Sequence, residues 1–272
     1  MSESGVGQDG LPEVTLRIPG DWDGPAALAE ALPEGVEIGE EQRLVLPHGG
    51  SVEINALPAD DEFLQVFASG CTREPTDEEK RGVENYAVNV CLTGPGGSFE
   101  AAERMVEAGA AILRAGGYGV FVDNSGIAHG RQDWLDLTGG IEHRRAQDGG
   151  EALNENDDGE AFWAFVMIYG DEQNVWSRGM QVMGCRDGVL PRSGDDEFDH
   201  FYLRNFLSYT YRSPKPVVDG DVMVDLVGED PVPRFVARQA PDAYVPAESA
   251  MHNPYGLWRL EPIEDPIDPE AN

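Results

Sequence analysis

The sequence predicts an α+β protein, a mixed or antiparallel sheet with helices on one face, preceded by a small α+β N-terminal module. Three observations lead there. Short runs rich in β-branched and aromatic residues outnumber the helical patterns. Two apolar runs, Ala161–Tyr169 and Val175–Gly184, flank the turn sequence Gly-Asp-Glu-Gln-Asn and read as a hairpin, which requires antiparallel pairing. Helices and strands also fail to alternate in the regular way that a doubly wound parallel sheet needs.

Residues 1–12 are polar and glycine-rich and read as a loose tail. The N-terminal module, 13–71, opens with Glu13–Ile18, an alternating strand closed by Pro19-Gly20. Gly24–Leu32 reads as a short helix with Pro25 near its start and Pro33 beyond its end. Residues 43–47 and 51–57 follow as strands around a His-Gly-Gly turn, and 62–70 fits either a strand or a short helix. The charged segment 72–84 contains Pro75 and is the candidate linker. Its Thr-Asp-Glu-Glu run from Thr76 also matches a capping box, which would open a helical turn.

The main domain is expected over 85–262. Tyr86–Leu92 reads as a buried strand, Thr93–Gly97 turns the chain, and Ser98 is placed to cap a helix. Phe99, Ala102, Met105, Val106, Gly109, Ile112 and Leu113 then recur at helical spacing, among alanines that keep the helix slim, and Gly116-Gly117 ends it. Tyr118–Val122 is the next strand and Asp123–Gly126 a polar turn. Residues 131–137 suggest a second helix. Residues 138–160 read as a long exposed loop, and 186–196 as another. Glu197–Tyr211 shows one aromatic face and reads as a core-facing helix stopped by Ser213-Pro214. Late strands are expected at 221–227 and 234–237. Tyr255, Leu257 and Trp258 suggest a docked tail, and 263–272 reads as a free acidic end.

The composition is that of a globular chain, with 272 residues of which 40% are hydrophobic and 26% charged. No window approaches the ~20 apolar residues that a membrane span needs. Residues 1–14 lack the basic and apolar regions of a secretory signal, so a cytoplasmic location is expected. The formal net charge of −32 repels phosphate backbones and anionic lipid heads, which argues against nucleic-acid and membrane-surface binding. What remains is solvation, including adaptation to salt, or a basic protein partner held by charge complementarity. Cys71, Cys91 and Cys185 form no CxxC pair and no disulfide framework, and reduced, inert thiols are expected.

Read together and in order, ILRAGGYGVFVDNSGIAHGRQDW at 112–134, the hairpin ending in GMQVMG, the aromatic helix and VDGDVM at 218–223 resemble the bacterial family known as domain of unknown function 4261. The resemblance covers roughly 86–230. It implies a bacterial, soluble α+β protein and carries over no catalytic residue.

The residues capable of chemistry collect after the 118–122 strand. Asp123, Ser125 and His129 supply the carboxylate, hydroxyl and imidazole of a nucleophilic set, and Asn124, Ser125, His129 and Trp134 could line a binding loop. The serine lacks the sharp nucleophile elbow of hydrolases. The alternative is a turn in which Asn124 or Gly126 takes a positive φ and Ser125 bonds to backbone. The Gly94–Ser98 loop could cradle an anion at a helix start, but it is neither a Walker A loop nor a dinucleotide fingerprint, so a turn with an N-cap is preferred and no cofactor is expected. His48, His129, His143, His200 and His252 form no metal-binding spacing. The Asn154–Gly159 run fails as a calcium loop because its twelfth position is Phe165. Arg104, Arg114 and Arg178 read as surface ion-pair partners. The expected function is a non-enzymatic binding protein engaging a basic protein; the alternative is a hydrolase or small-ligand enzyme on the Asp123–Trp134 loop.

Overall fold

A computed structural model describes residues 11–148, 159–225 and 232–263. The fold is α+β, built on two mostly antiparallel sheets where one was expected. The first sheet contains β1 (Glu13–Gly20), β2 (Glu37–Ile38), β3 (Arg43–Val45), β4 (Ser51–Pro58), β5 (Val88–Pro95), β6 (Gly119–Val122) and β7 (Ala128–Gly130). Their order across it is β2-β3-β4-β5-β1-β6-β7. This order overturns the division of the chain at 72–84. β1 lies between β5 and β6, pairing from Glu13↔Pro95 to Gly20↔Val88 on one side and through Leu16↔Val122 on the other. The expected linker is instead a helix, α3 (Asp77–Glu84), opened by the Thr76–Glu79 capping box. Before it, residues 63–70 settle as a helix, α2 (Phe63–Gly70), rather than a strand.

Both faces of this sheet are covered. On β6, Val120 and Val122 join the main core while Phe121 belongs to a smaller cluster with Phe63, Phe67, Val83 and Tyr86 from α2, α3 and the segment after α3. Successive residues of a strand point to opposite faces, so α2 and α3 cover the face opposite the main core. Helix α4 (Phe99–Arg114) packs on the core face, and its N-terminus is closed by Ser98, whose hydroxyl accepts from Ala101 N at 3.1 Å. The short α1 (Pro25–Ala31) buries Leu28.

Helix α5 (Arg131–Asp148) runs well past 137 and takes up the first half of the expected 138–160 loop. Trp134 and Ile141, seven residues apart, are both fully buried and hold one side of it against the core. The next expectation also changes. Residues 161–165 are not the first half of a hairpin but a helix, α6 (Glu160–Phe165), entered through Gly159 at φ 79°. Its buried residues Ala161, Phe162, Ala164 and Phe165 leave Trp163 facing out, a helical spacing hidden in a continuous apolar run.

The second sheet holds β8 (Met167–Gly170), β9 (Asn174–Arg178), β10 (Asp187–Pro191), β11 (Val222–Asp225), β12 (Val232–Ala240) and β13 (Leu257–Pro262), in the order β11-β12-β13-β10-β9-β8. The hairpin is therefore β8–β9, shorter than expected. Gly179, at φ 110°, ends β9, and Met180–Met183 form a single 3-10 turn. The segment read as the 186–196 loop contains β10, and the tail read as docked is β13, a central strand running parallel to β10. Helix α7 (Asp196–Arg212) packs on β9 and β10. One hydrophobic core joins α4, α6, α7 and both sheets. The tail at 1–10, the acidic run Asn154–Asp158 and the acidic end from 264 lie outside the described residues.

Candidate functional site

The Asp123–Trp134 loop is built inward. Asp123 forms a two-pronged ion pair with Arg17, with Nε to Oδ1 at 2.8 Å and Nη2 to Oδ2 at 2.9 Å. Burial raises its pKa, opposed by that guanidinium. Asn124 is fully buried and stitches three segments together. Its Oδ1 accepts from Thr15 N at 3.0 Å, and its Nδ2 donates to Glu13 O at 2.7 Å and Ala250 O at 3.1 Å. Ser125 is also fully buried, its hydroxyl accepting from Ile127 N at 3.4 Å. Gly126 takes φ 72°, so the turn reading of this stretch is the one that fits.

His129 sits on β7, 6% exposed, with Nε2 against Ala164 O at 3.1 Å and its ring edge-on to Trp134. Burial lowers its pKa to about 4, so the ring is neutral and Nε2 carries the hydrogen that reaches the carbonyl. Trp134 is fully buried and donates its indole N–H to Val106 O at 2.9 Å. Asp123, Ser125 and His129 are thus not assembled: each is bonded to a different group, and no hydrogen bond joins any two of them. Asn124, Ser125, His129 and Trp134, expected to line a binding loop, are buried, and each has a polar side-chain atom bonded to backbone. The glycine loop fares similarly. Gly96 N donates to Pro12 O and Gly97 N to Val182 O, so those amides are not free to cradle an anion.

The loop nevertheless borders a cavity through its backbone. The Tyr169 hydroxyl donates to Ser125 O, and a side-chain carbon added at Gly126 would strike that hydroxyl at 2.6 Å and Met251 at 3.2 Å. Tyr169 and Met251 belong to the wall of a cavity of about 520 Å³ between the β8–β9 edge and the 244–251 segment. Tyr169 and Trp176 face each other across the hairpin, rings 6.2 Å apart and 20° from parallel, and Tyr244 also lines the cavity. Val189 and Leu257 supply further apolar wall, and Asp171 and Asn174 come from the exposed turn. The Asp171 carboxylate is held below its usual range by the N–H groups of Asn174 and Gln173.

Arg178 also lines the cavity. It was expected on the surface, yet it is 4% exposed, with Nη1 3.4 Å from Asp242. Asp242 accepts from Asn253 N at 3.0 Å and Tyr244 N at 3.3 Å, and His252 Nδ1 stands 3.7 Å away. Behind this pair lies a second buried carboxylate. Asp187 accepts from the Ser177 hydroxyl and from Asn253 Nδ2, each at 2.7 Å, and burial pushes its pKa up to about 6. The cavity residues on β9 had a signal in the sequence: Asn174, Trp176 and Arg178 alternate and so share one face. Tyr244 had none, since it comes from a proline-rich segment with no periodicity. A smaller cavity of about 180 Å³, walled by Trp22, Leu28, Ile54 and Val90, has no charged side chain in its lining to orient a ligand.

The three thiols are raised by burial, Cys71 to about 12 and Cys91 and Cys185 to about 11, so none is a ready nucleophile at neutral pH. The chain matches no protein-family model, no curated protein and no solved structure. The resemblance of 86–230 to the domain of unknown function 4261 family therefore adds nothing to the assignment of the site.

Proposed function

We propose that this protein is a non-enzymatic binding protein whose acidic surface receives a basic protein partner. One observation carries the reading: 51 Asp and Glu residues stand against 19 Lys and Arg, and several of those cations are already paired within the chain. Arg17, Arg73, Lys80, Arg104, Arg114 and Arg192 each hold a carboxylate of the same chain at 2.7–3.1 Å. The net charge of −32 leaves the carboxylates in large excess. Such a field steers a basic partner to the surface and raises its association rate at low ionic strength. The enzymatic alternative on the Asp123–Trp134 loop draws no support from geometry, because Ser125 and His129 are bonded to separate backbone groups.

The test is capture of partners on the immobilised protein at low and high salt, followed by binding of the purified candidate. The reading expects one discrete basic protein, retained at low salt and associating more slowly as salt rises. Retention of nothing at low salt, or of every basic protein alike, would sink it.

A further inference from the structure

The cavity at the β8–β9 edge contains a guanidinium with too few partners. A guanidinium carries five N–H donors in a fixed fork. Among the described residues the Arg178 side chain makes one hydrogen bond, the 3.4 Å contact from Nη1 to Asp242. Asp242 cannot turn to offer a second prong, because it also accepts from Asn253 N and Tyr244 N. The remaining donors of Arg178 belong to a side chain that is 4% exposed and lines the cavity. An acceptor entering the cavity can take up those donors.

We propose that this cavity binds a small aromatic carboxylate, its oxyanion on the free fork of Arg178 and its ring against Tyr169 and Trp176. A carboxylate matches the two-pronged geometry of a guanidinium. One neighbouring group can add a further donor. The Tyr244 hydroxyl already accepts from Arg259 at 2.9 Å, so its own hydrogen is left to donate. The one carboxylate in the lining, Asp171, is engaged through Oδ1 by the N–H groups of Gln173 and Asn174. The near-parallel Tyr169–Trp176 wall suits a planar body, and about 520 Å³ is within the usual range of small-molecule pockets, ~300–1,000 Å³. This site does not depend on the basic-partner reading, and salt separates the two. A chain of net charge −32 repels an anion at long range, so screening should strengthen carboxylate binding while it weakens a basic protein's.

Calorimetric titration of the full chain with indole-3-acetate and 1-naphthoate tests the proposal, with indole-3-acetamide as the uncharged control. Saturable binding of the acids is expected, at least tenfold tighter than the amide and tighter as salt rises. The paired substitution Arg178→Met with Asp242→Asn removes the fork together with the carboxylate bonded to it and should weaken acid binding about ten- to a hundredfold, the worth of hydrogen bonds to a charged group. Trp176→Leu leaves the Arg178–Asp242 pair intact and should weaken both acids severalfold; it decides the matter if the paired variant does not fold. No saturable binding of either acid, equal affinity for the amide, or unchanged affinity in a folded variant would each overturn the proposal.

Discussion

Asp187 and His129 are buried titratable groups whose effects on stability have opposite signs. Asp187 is fully buried and its pKa is raised to about 6 from an ordinary 3.8. The folded state therefore holds a proton that the unfolded chain releases. The resulting stability is present below about pH 4 and is lost as pH rises through 6. His129 has the reverse sign. Burial lowers its pKa to about 4 from 6.5, so the unfolded chain takes a proton that the folded state refuses. Its contribution is present above about pH 6.5 and is lost as pH falls toward 4. Each shift corresponds to about 3 kcal/mol at 1.36 kcal/mol per unit, and over pH 4–6 the two nearly cancel. Asp187→Asn should then leave stability rising with pH across this window more steeply than in the parent. His129→Asn should leave it falling relative to the parent. Urea unfolding at pH 4, 5, 6 and 7 measures both slopes. Identical slopes in parent and variants would mean that neither group titrates as its burial requires.

Contact between α4 and α5 turns on one glycine. A side-chain carbon at Gly109 would meet the Trp134 indole at 2.8–3.1 Å. Alanine there would gain about 0.5–1 kcal/mol of helix propensity. It would also force the ring off its bond to Val106 O, and overpacking of this kind costs about 1–3 kcal/mol. The second effect wins, so Gly109→Ala should destabilise by about 1–2 kcal/mol in chemical denaturation. In a Trp134→Leu background the same change should be neutral or favourable, because the clashing ring is gone. α4 was legible in the sequence for the same reason that it packs. Its small residues, its apolar spacing and Ser98 all agree on one helix. α6 was not legible, because Ala161–Phe165 is buried almost all round and a continuous apolar run carries no period. β10 was not legible either: Asp187 is a charge in a buried strand, acceptable only because Ser177 and Asn253 arrive from elsewhere to bond it. The candidate site divides in the same way. The polar loop at 123–134 was visible as a local cluster, but the partners that consume its side chains, Thr15, Ala164 and Ala250, are distant in sequence. Of the Arg178 cavity only the β9 wall had a signal, in the alternation of Asn174, Trp176 and Arg178; Tyr244 and Asp242 come from a segment without a pattern.

At the scale of the whole molecule, sheet order decides what can fold alone. Composition suggested a small module ending near residue 71 and a larger domain beginning at 85. A module boundary requires that few contacts cross it. Here β1 crosses it completely: eight residues, 13–20, pair with β5, and Leu16 and Arg17 pair with β6. Val14, Leu16 and Ile18 enter the same core as α4 with no exposure. The loop from Asn124 to Glu13 and Thr15 adds a second seam between the same parts. A chain comprising 85–272 would lose the strand between β5 and β6, exposing apolar faces and two unpaired strand edges in its place. It should therefore be insoluble, or lack a cooperative unfolding transition, when produced alone. Co-expression with 1–84 should restore a soluble, stoichiometric complex, since β1 docks through main-chain bonds that need no covalent connection. Independent cooperative unfolding of 85–272, with near-UV circular dichroism like that of the full chain, would restore the two-domain reading. Failure of both the fragment and the co-expressed pair would show that continuity through α3 is itself required.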